Sequence, residues 1–205
     1  AQDRRRAVLR LDAKHQDALE MLVKLALAKK DDDAAELALE ALTAAIPPRE
    51  DPVRAAGAYL DLTALRGRVG RWNEALASAE HAFELDGTNA AVLEAVADAR
   101  EHAGKHLEAA EAWRRLAGAR VGSGRAKALE QRAQSLYRGG KGGDAIEVLL
   151  DLRRETGETR YREEAELWAR QSNDPALMKR VGVQPPSPVG GATSSDPPEI
   201  TRTQT

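Results

Sequence analysis

Residues Gly70 to Asp86 read GRWNEALASAEHAFELD, a turn followed by one amphipathic helix. The apolar positions Ala75, Leu76, Ala79, Ala82 and Phe83 fall three and four apart, the spacing that puts side chains on one helical face. Thirty-four residues after Gly70 comes Gly104, where the chain reads GKHLEAAEAWRRLAG. Both stretches run glycine, one residue, an apolar or aromatic residue, then x-Glu-Ala and an apolar helix. One unit is being said twice, and a period of this length marks a helical repeat rather than a single globular core.

Worked outward, the same frame recurs. The turn position falls at Lys30, Gly70, Gly104 and Gly140, with intervals of 40, 34 and 36. Helices are expected over 16–29 and 34–45, 52–68 and 72–85, 90–102 and 106–118, and 125–138 and 143–155. The surplus residues of the longer intervals are placed in turns between helices, around Glu50–Ala55 and in a glycine link from Gly118 to Gly124. Asp51 reads as an N-cap with Pro52 in the first turn behind it. Asn173-Asp174-Pro175 opens a last short helix. Tyr161, Ala165 and Trp168 give 160–171 an apolar stripe, while Arg162, Glu163, Glu164, Glu166 and Arg170 make the rest polar, as suits a terminal cap.

The frame fixes the residue types at each position. Five residues after the turn stands alanine in all four units: Ala35, Ala75, Ala109 and Ala145. Four further on come Leu39, Ala79, Trp113 and Leu149, and three beyond those Leu42, Ala82, Leu116 and Leu152. Eleven residues before the turn stand Leu19, Tyr59, Leu93 and Leu129, and eight before it Leu22, Leu62, Val96 and Arg132. Small residues at the crossing let helices approach closely, with Ala75 expected against Ala97 and Ala109 against Ala133. Trp72, Phe83 and Trp113 are read as filling the gaps. One hairpin cannot bury both faces of its apolar stripe; a stack of hairpins can.

This pattern resembles the tetratricopeptide repeat family over most of residues 1–171. The resemblance implies an all-α fold, a right-handed α-α superhelix built as a solenoid of helix-turn-helix units. About four hairpins fill 16–159, with capping helices over 160–182. Residues 1–15 are read as the end of a truncated upstream repeat, because Leu11-Asp12 repeats the helix ending of Leu85-Asp86. Two departures from the family pattern stand out. Its tyrosine position reads Ala26, Arg66, Arg100 and Leu136, and Arg132 replaces a core leucine.

Composition narrows the function. Charged residues are 31% of the chain and sum to −2, which argues against grip on nucleic acid by bulk charge. Aromatics are 3%, and there is no cysteine, so disulfides and thiolate metal sites are excluded. Arg outnumbers Lys by 23 to 8, as a GC-rich genome would produce. No apolar run approaches the roughly 18 residues of a membrane span. The chain opens Ala-Gln-Asp-Arg without an initiator methionine and is expected to be a piece of a longer one. From Val183 on, QPPSPVGGATSSDPPEITRTQT cannot bury enough apolar surface to offset its ordering entropy and reads as a disordered tail.

No motif for catalysis is present: no GxSxG, no GxxxxGK[ST], no HExxH. Gly139-Gly140-Lys141-Gly142-Gly143 lacks the strand and the hydroxyl residue of a phosphate loop and reads as a repeat turn. His102 and His106 flank Gly104 and read as solvent histidines rather than metal ligands. Neither an enzyme, a metal site nor a cofactor is expected.

What remains is the groove that the first helix of each pair lines in proteins resembling this family. Its positions here include Asp17 and Glu20, Leu60 and Arg68, Glu94, Asp98 and Glu101, and Glu130, Gln134 and Tyr137. They imply a protein or peptide partner with a basic segment, and no nucleic acid. The Lys/Asn/Arg clamp with which some relatives hold a chaperone's terminal carboxylate is not seen: its positions hold Glu20, Lys24, Asp61, Ala91, Glu94 and Ala95. A scaffold that binds a partner segment is the first expectation. A repeat arm of a larger protein whose activity lies elsewhere is the alternative.

Overall fold

The structure, a computed structural model, describes residues 16–184; the readings placed on 1–15 and on the tail from 185 lie outside the described residues. Ten helices follow one another: α1 (Gln16–Ala28), α2 (Asp32–Ala45), α3 (Pro52–Arg68), α4 (Trp72–Asp86), α5 (Ala90–His102), α6 (His106–Ala119), α7 (Gly122–Arg138), α8 (Gly142–Thr156), α9 (Arg160–Ser172) and α10 (Pro175–Val181). No strand occurs among the described residues. Each helix packs on its neighbours in sequence, and α3 also packs on α5, so the hairpins stack into a solenoid.

Four turns close on the same backbone geometry. Lys30, Gly70, Gly104 and Gly140 have φ of 55°, 79°, 75° and 78°. In each, the amide one residue on bonds a carbonyl five residues back: Asp31 to Ala26, Arg71 to Arg66, Lys105 to Arg100 and Lys141 to Leu136, at 2.8–3.0 Å. This is the Schellman closure, which uses up the last carbonyls of the first helix and needs a left-handed residue. Glycine adopts that conformation freely, which is why three of the four positions carry it. Elsewhere side chains start the helices. Asp31, Asp51 and Asp174 accept from the amides of Ala34, Arg54 and Ala176 at 3.1, 3.0 and 2.8 Å.

The packing frame holds throughout. The twelve residues five, nine and twelve positions after the turns are all at most 5% exposed, and the four alanines of the first set are fully buried. Ala97 and Ala133 are fully buried as well. Of the aromatics expected to fill the gaps, Trp113 is deep in the core, while Trp72 and Phe83 stay half-buried. Phe83 lies between the guanidinium groups of Arg100 and Arg115, 5.6 and 5.5 Å from its centroid.

The surplus residues do not all sit in turns. In the first long interval part of the surplus is loop, 46–51, and part is an extra helical turn that makes α3 four residues longer than α1 or α5. In the second, the expected glycine link is helical. α6 runs on to Ala119 and α7 starts at Gly122, so only Arg120 and Val121 connect them, both extended. Gly122, at φ 58°, bends the chain straight into the helix. Arg125 then donates to the Ala117 carbonyl at 3.2 Å, tying the first turn of α7 to the last of α6.

The tyrosine-position arginines are interface residues. Arg66 donates to Glu36 at 2.9 Å, to Glu40 at 2.8 Å and to Ser78 Oγ at 2.7 Å, while Arg71 bonds the other oxygen of Glu36. Arg100 stands 3.8 Å from both Glu80 and Glu108. Glu40 and Glu80 each lie ten residues past their turn, so the same pairing with the preceding repeat recurs, at hydrogen-bond distance for Arg66 and only as a looser ion pair for Arg100. Around the first lock the apolar core is interrupted. One cluster runs from Leu76 to Val181, and two smaller ones lie among α1, α2 and α3.

Candidate functional site

The first helices of the hairpins, α1, α3, α5 and α7, carry the predicted groove residues, and two adjoining clefts run between them. The first, about 570 Å³, lies between α1 and α3, and the second, about 650 Å³, between α3 and α5. Ala64 and Arg68 line both, so the clefts are continuous across α3.

Many of the predicted residues already have partners within the chain. Glu20 receives Arg54 at 2.6 and 3.0 Å, and Arg54 also reaches Asp17 at 3.2 Å. Arg68 bonds Asp32. Glu94 pairs with Arg120 at 2.7 Å. Glu101 is the most occupied: Ser135 and Arg138 donate to it at 2.7 Å each, and His106 Nδ1 stands 3.0 Å away. Burial works against the charged form of Glu101, but those hydrogen bonds outweigh it and hold its pKa below the usual carboxylate value. Glu130 bonds Arg160 and the Tyr161 hydroxyl. Burial, with that contact, pushes the phenol up to about 12. Tyr137 stacks on Trp168 at 4.5 Å and donates to Gln171 at 2.9 Å, so α9 covers it. Gln134 and Leu60 are half-buried, and Leu60 lines the second cleft.

Two carboxylates differ from these. Asp98, in the second cleft, and Asp61, in the first, form no ion pair among the described residues. Both are exposed, but the cleft walls displace part of their hydration. That loss, with Glu20 acting on Asp61 and with Glu94 acting on Asp98 against partial relief from His102 and Lys127, raises both pKa values. Asp61 was legible only as a mismatch to a clamp position. The sequence did not mark it as a groove acid.

Trp72 is the other residue the sequence misassigned. Its ring lies over Gly67, where an added Cβ would stand 3.0 Å from it, and His102 stacks on it at 3.6 Å, nearly parallel. Both rings line the second cleft beside Asp98. His102 is exposed, as expected, though one face of it stacks on Trp72, while His106 is half-buried against Glu101. No group of three or more metal-ligating side chains occurs among the described residues.

No family model matches the sequence, and no curated protein matches it. Solved structures do. The MamA protein shares 18% identity at a TM-score of 0.62, over 81% of this chain and 85% of that one. A tetratricopeptide repeat protein from Parabacteroides merdae shares 18% identity at 0.61, over 81% of this chain and 63% of its own. PilF of Pseudomonas aeruginosa shares 18% identity at 0.52, over 82% and 77%. At such identities the likeness is one of fold, and it agrees with the turns, the buried alanines and the stacked hairpins: the chain has the tetratricopeptide-repeat fold, an all-α, right-handed superhelix.

Proposed function

We propose that this chain is a non-catalytic protein-interaction scaffold whose groove, formed by α1, α3, α5 and α7, holds a segment of a partner protein carrying basic residues. One observation carries the reading. Most acids along the groove are matched by arginines of this chain, but Asp61 and Asp98, both exposed in the clefts, form no ion pair among the described residues, and partial loss of hydration raises the pKa of each. A lysine or arginine brought by a partner relieves both. A nucleic acid would bring phosphates to the same carboxylates and is disfavoured. Among the described residues no helix is long and apolar enough to cross a membrane.

The test is capture of a partner by the immobilised chain, with the bound segment mapped. A basic segment released by Glu94→Lys combined with Asp98→Lys is the expected result. Capture unchanged by that reversal of charge sinks the groove.

A second reading, a repeat arm packed on another part of a larger protein, is favoured by one face of α1. Leu65, Ala99 and Ser135, five residues before their turns, are buried, whereas Leu25 at the same position is 51% exposed and Met21 beside it 71%. Under that reading Leu25→Glu alters the parent protein's activity and leaves groove binding intact.

A further inference from the structure

The first hairpin, α1 and α2, is joined to the array differently from the hairpins that follow. Across the later junctions one apolar cluster runs on, from Leu76 and Ala79 through Leu93 and Val96 to Tyr161, Ala165 and Trp168. The first hairpin shares none of it. It meets α3 in two small patches. In one, Ala35, Ala38 and Leu39 group with Leu62 and Leu65; in the other, Leu42 and Ile46 group with Ala55 and Ala58. α1 and α3 scarcely meet, and the cleft of about 570 Å³ lies between them. The connection is longer too: it runs over 46–51, where the later junctions need only 87–89, 120–121 and 157–159.

Charge crosses this junction where apolar packing is thin. Arg54 donates to Glu20 at 2.6 and 3.0 Å and to Asp17 at 3.2 Å, and Arg66 to Glu36 at 2.9 Å and to Glu40 at 2.8 Å. Arg68 and Arg71 pair with Asp32 and Glu36. In each of these pairs the carboxylate belongs to the first hairpin and the guanidinium to the second. The Arg66–Glu36 pair is well shielded, but the side chains of Arg54, Arg68 and Arg71 are 35%, 56% and 39% exposed, within reach of dissolved ions. Repeat arrays open locally, at their weaker interfaces first. An interface of partly exposed opposite charges weakens as salt screens it.

We propose that the first hairpin is a salt-sensitive clasp: as ionic strength rises it undocks as a unit, while α3–α10 stay folded. Release uncovers Ala55, Ala58, Leu62 and Leu65 on α3, frees Arg54, Arg66, Arg68 and Arg71, and takes α1 away from the clefts. The clasp is independent of what the groove holds. The opposite end of the array is its internal control. Arg160 and Arg180 pair there with Glu130 and Glu147, yet Tyr161, Trp168 and Met178 belong to the continuous cluster.

The experiment is hydrogen exchange, read by mass spectrometry on the whole chain, in about 0.01 M and about 1 M sodium chloride, between which the screening length falls roughly tenfold. Amides of α1 and α2 are expected to exchange roughly tenfold faster in high salt, as several partly exposed pairs of ordinary strength together give. Those of α5 to α10 should hardly change. Arg54→Gln with Arg68→Gln should give the fast exchange already in low salt and flatten its salt dependence. Exchange in α1 and α2 that ignores salt in the parent marks ordinary fraying of a terminal repeat and overturns the clasp. A rise shared equally by α5 to α10 marks general loosening and overturns it as well, and a rise confined to α1 overturns release as a unit.

Discussion

Replacing Arg66 by methionine tests whether the tyrosine-position arginines hold the repeats together. The Arg66 side chain is 14% exposed and its partner Glu36 11%, so the pair sits at the edge of the interior. Removing one member of a buried pair costs about 3–5 kcal/mol, because the other charge is left in a poor environment. Here Arg71 still holds Glu36 from the second oxygen, so the expected cost is nearer ~2 kcal/mol. Replacing both, Arg66→Met with Glu36→Met, should return stability to within ~1 kcal/mol of the parent, since no unpaired charge is left. The former partners all keep an alternative. Ser78 donates to the Glu74 carbonyl at 3.1 Å, Arg71 keeps Glu74 at 3.3 Å, and Glu40 is exposed.

Urea unfolding of the four proteins of this cycle gives the coupling, and hydrogen exchange in α2 to α4 places the loss, because a repeat array can open locally. pH supplies an independent reading. Burial disfavours the Glu36 charge, but the hydrogen bonds from Arg71 and Arg66 outweigh it and lower its pKa. Its contribution is therefore complete above the unfolded carboxylate value and lost as pH falls through the lower folded one. Arg66→Met should flatten that acid slope. An Arg66→Met protein within ~0.5 kcal/mol of the parent would show the lock to be ordinary solvated surface. A double variant worse than the single would show the ion pair to be net stabilising and the desolvation argument mistaken.

Ala109→Trp should destabilise by ~3 kcal/mol or more, because Ala109 is fully buried at a helix crossing and the ring has nowhere to go; an unchanged melting temperature would refute the alanine register. Lys30→Gly should raise stability by roughly 0.5–1 kcal/mol and Gly104→Ala lower it by ~1 kcal/mol in thermal melts, since both sit at positive φ and a Cβ at Gly104 would otherwise meet open space. Glu101→Gln should cost ~1–2 kcal/mol at neutral pH and much less in acid, where the parent's depressed carboxylate has also taken up its proton; equal losses at both pH values would show the charge to be irrelevant. Asp98→Asn should raise the melting temperature at neutral pH, because its raised pKa marks a charge the fold disfavours, and the gain should vanish below the carboxylate range, where the parent is protonated too.

The fold was legible because its packing rule is short-ranged and strict. A helix crossing that admits only a methyl group writes alanine at Ala35, Ala75, Ala109 and Ala145, and a left-handed turn writes glycine five residues earlier in three of the four units. Neither requires knowledge of any other repeat. Arg66 and Arg100 were read as departures because their partners, Glu40 and Glu80, lie on the preceding hairpin, where a single-repeat pattern does not look. The glycine link was misjudged for a related reason. Gly118, Gly122 and Gly124 carry low helix propensity, but the stacking of α6 on α7 overrides it.

The first-helix acids were legible in position and their partners were not, because those partners lie 26 to 37 residues away. Glu20 bonds Arg54 and Glu101 bonds Ser135 at 34 residues, Glu101 also bonds Arg138 at 37, while Glu94 reaches Arg120 at 26 and Glu130 reaches Arg160 at 30. For Asp61 the position 34 residues on is Ala95, and for Asp98 it is Arg132, which makes no bond to it. Arg132, the residue that departs from the core pattern, thus fails to complete the ladder at the one place where its charge would serve. Consistency across levels, which shapes the turns and crossings of this chain, breaks at these two acids. The same separation, applied to sequence alone, would have picked out Asp61, whose counterpart is Ala95, but not Asp98, whose counterpart is Arg132.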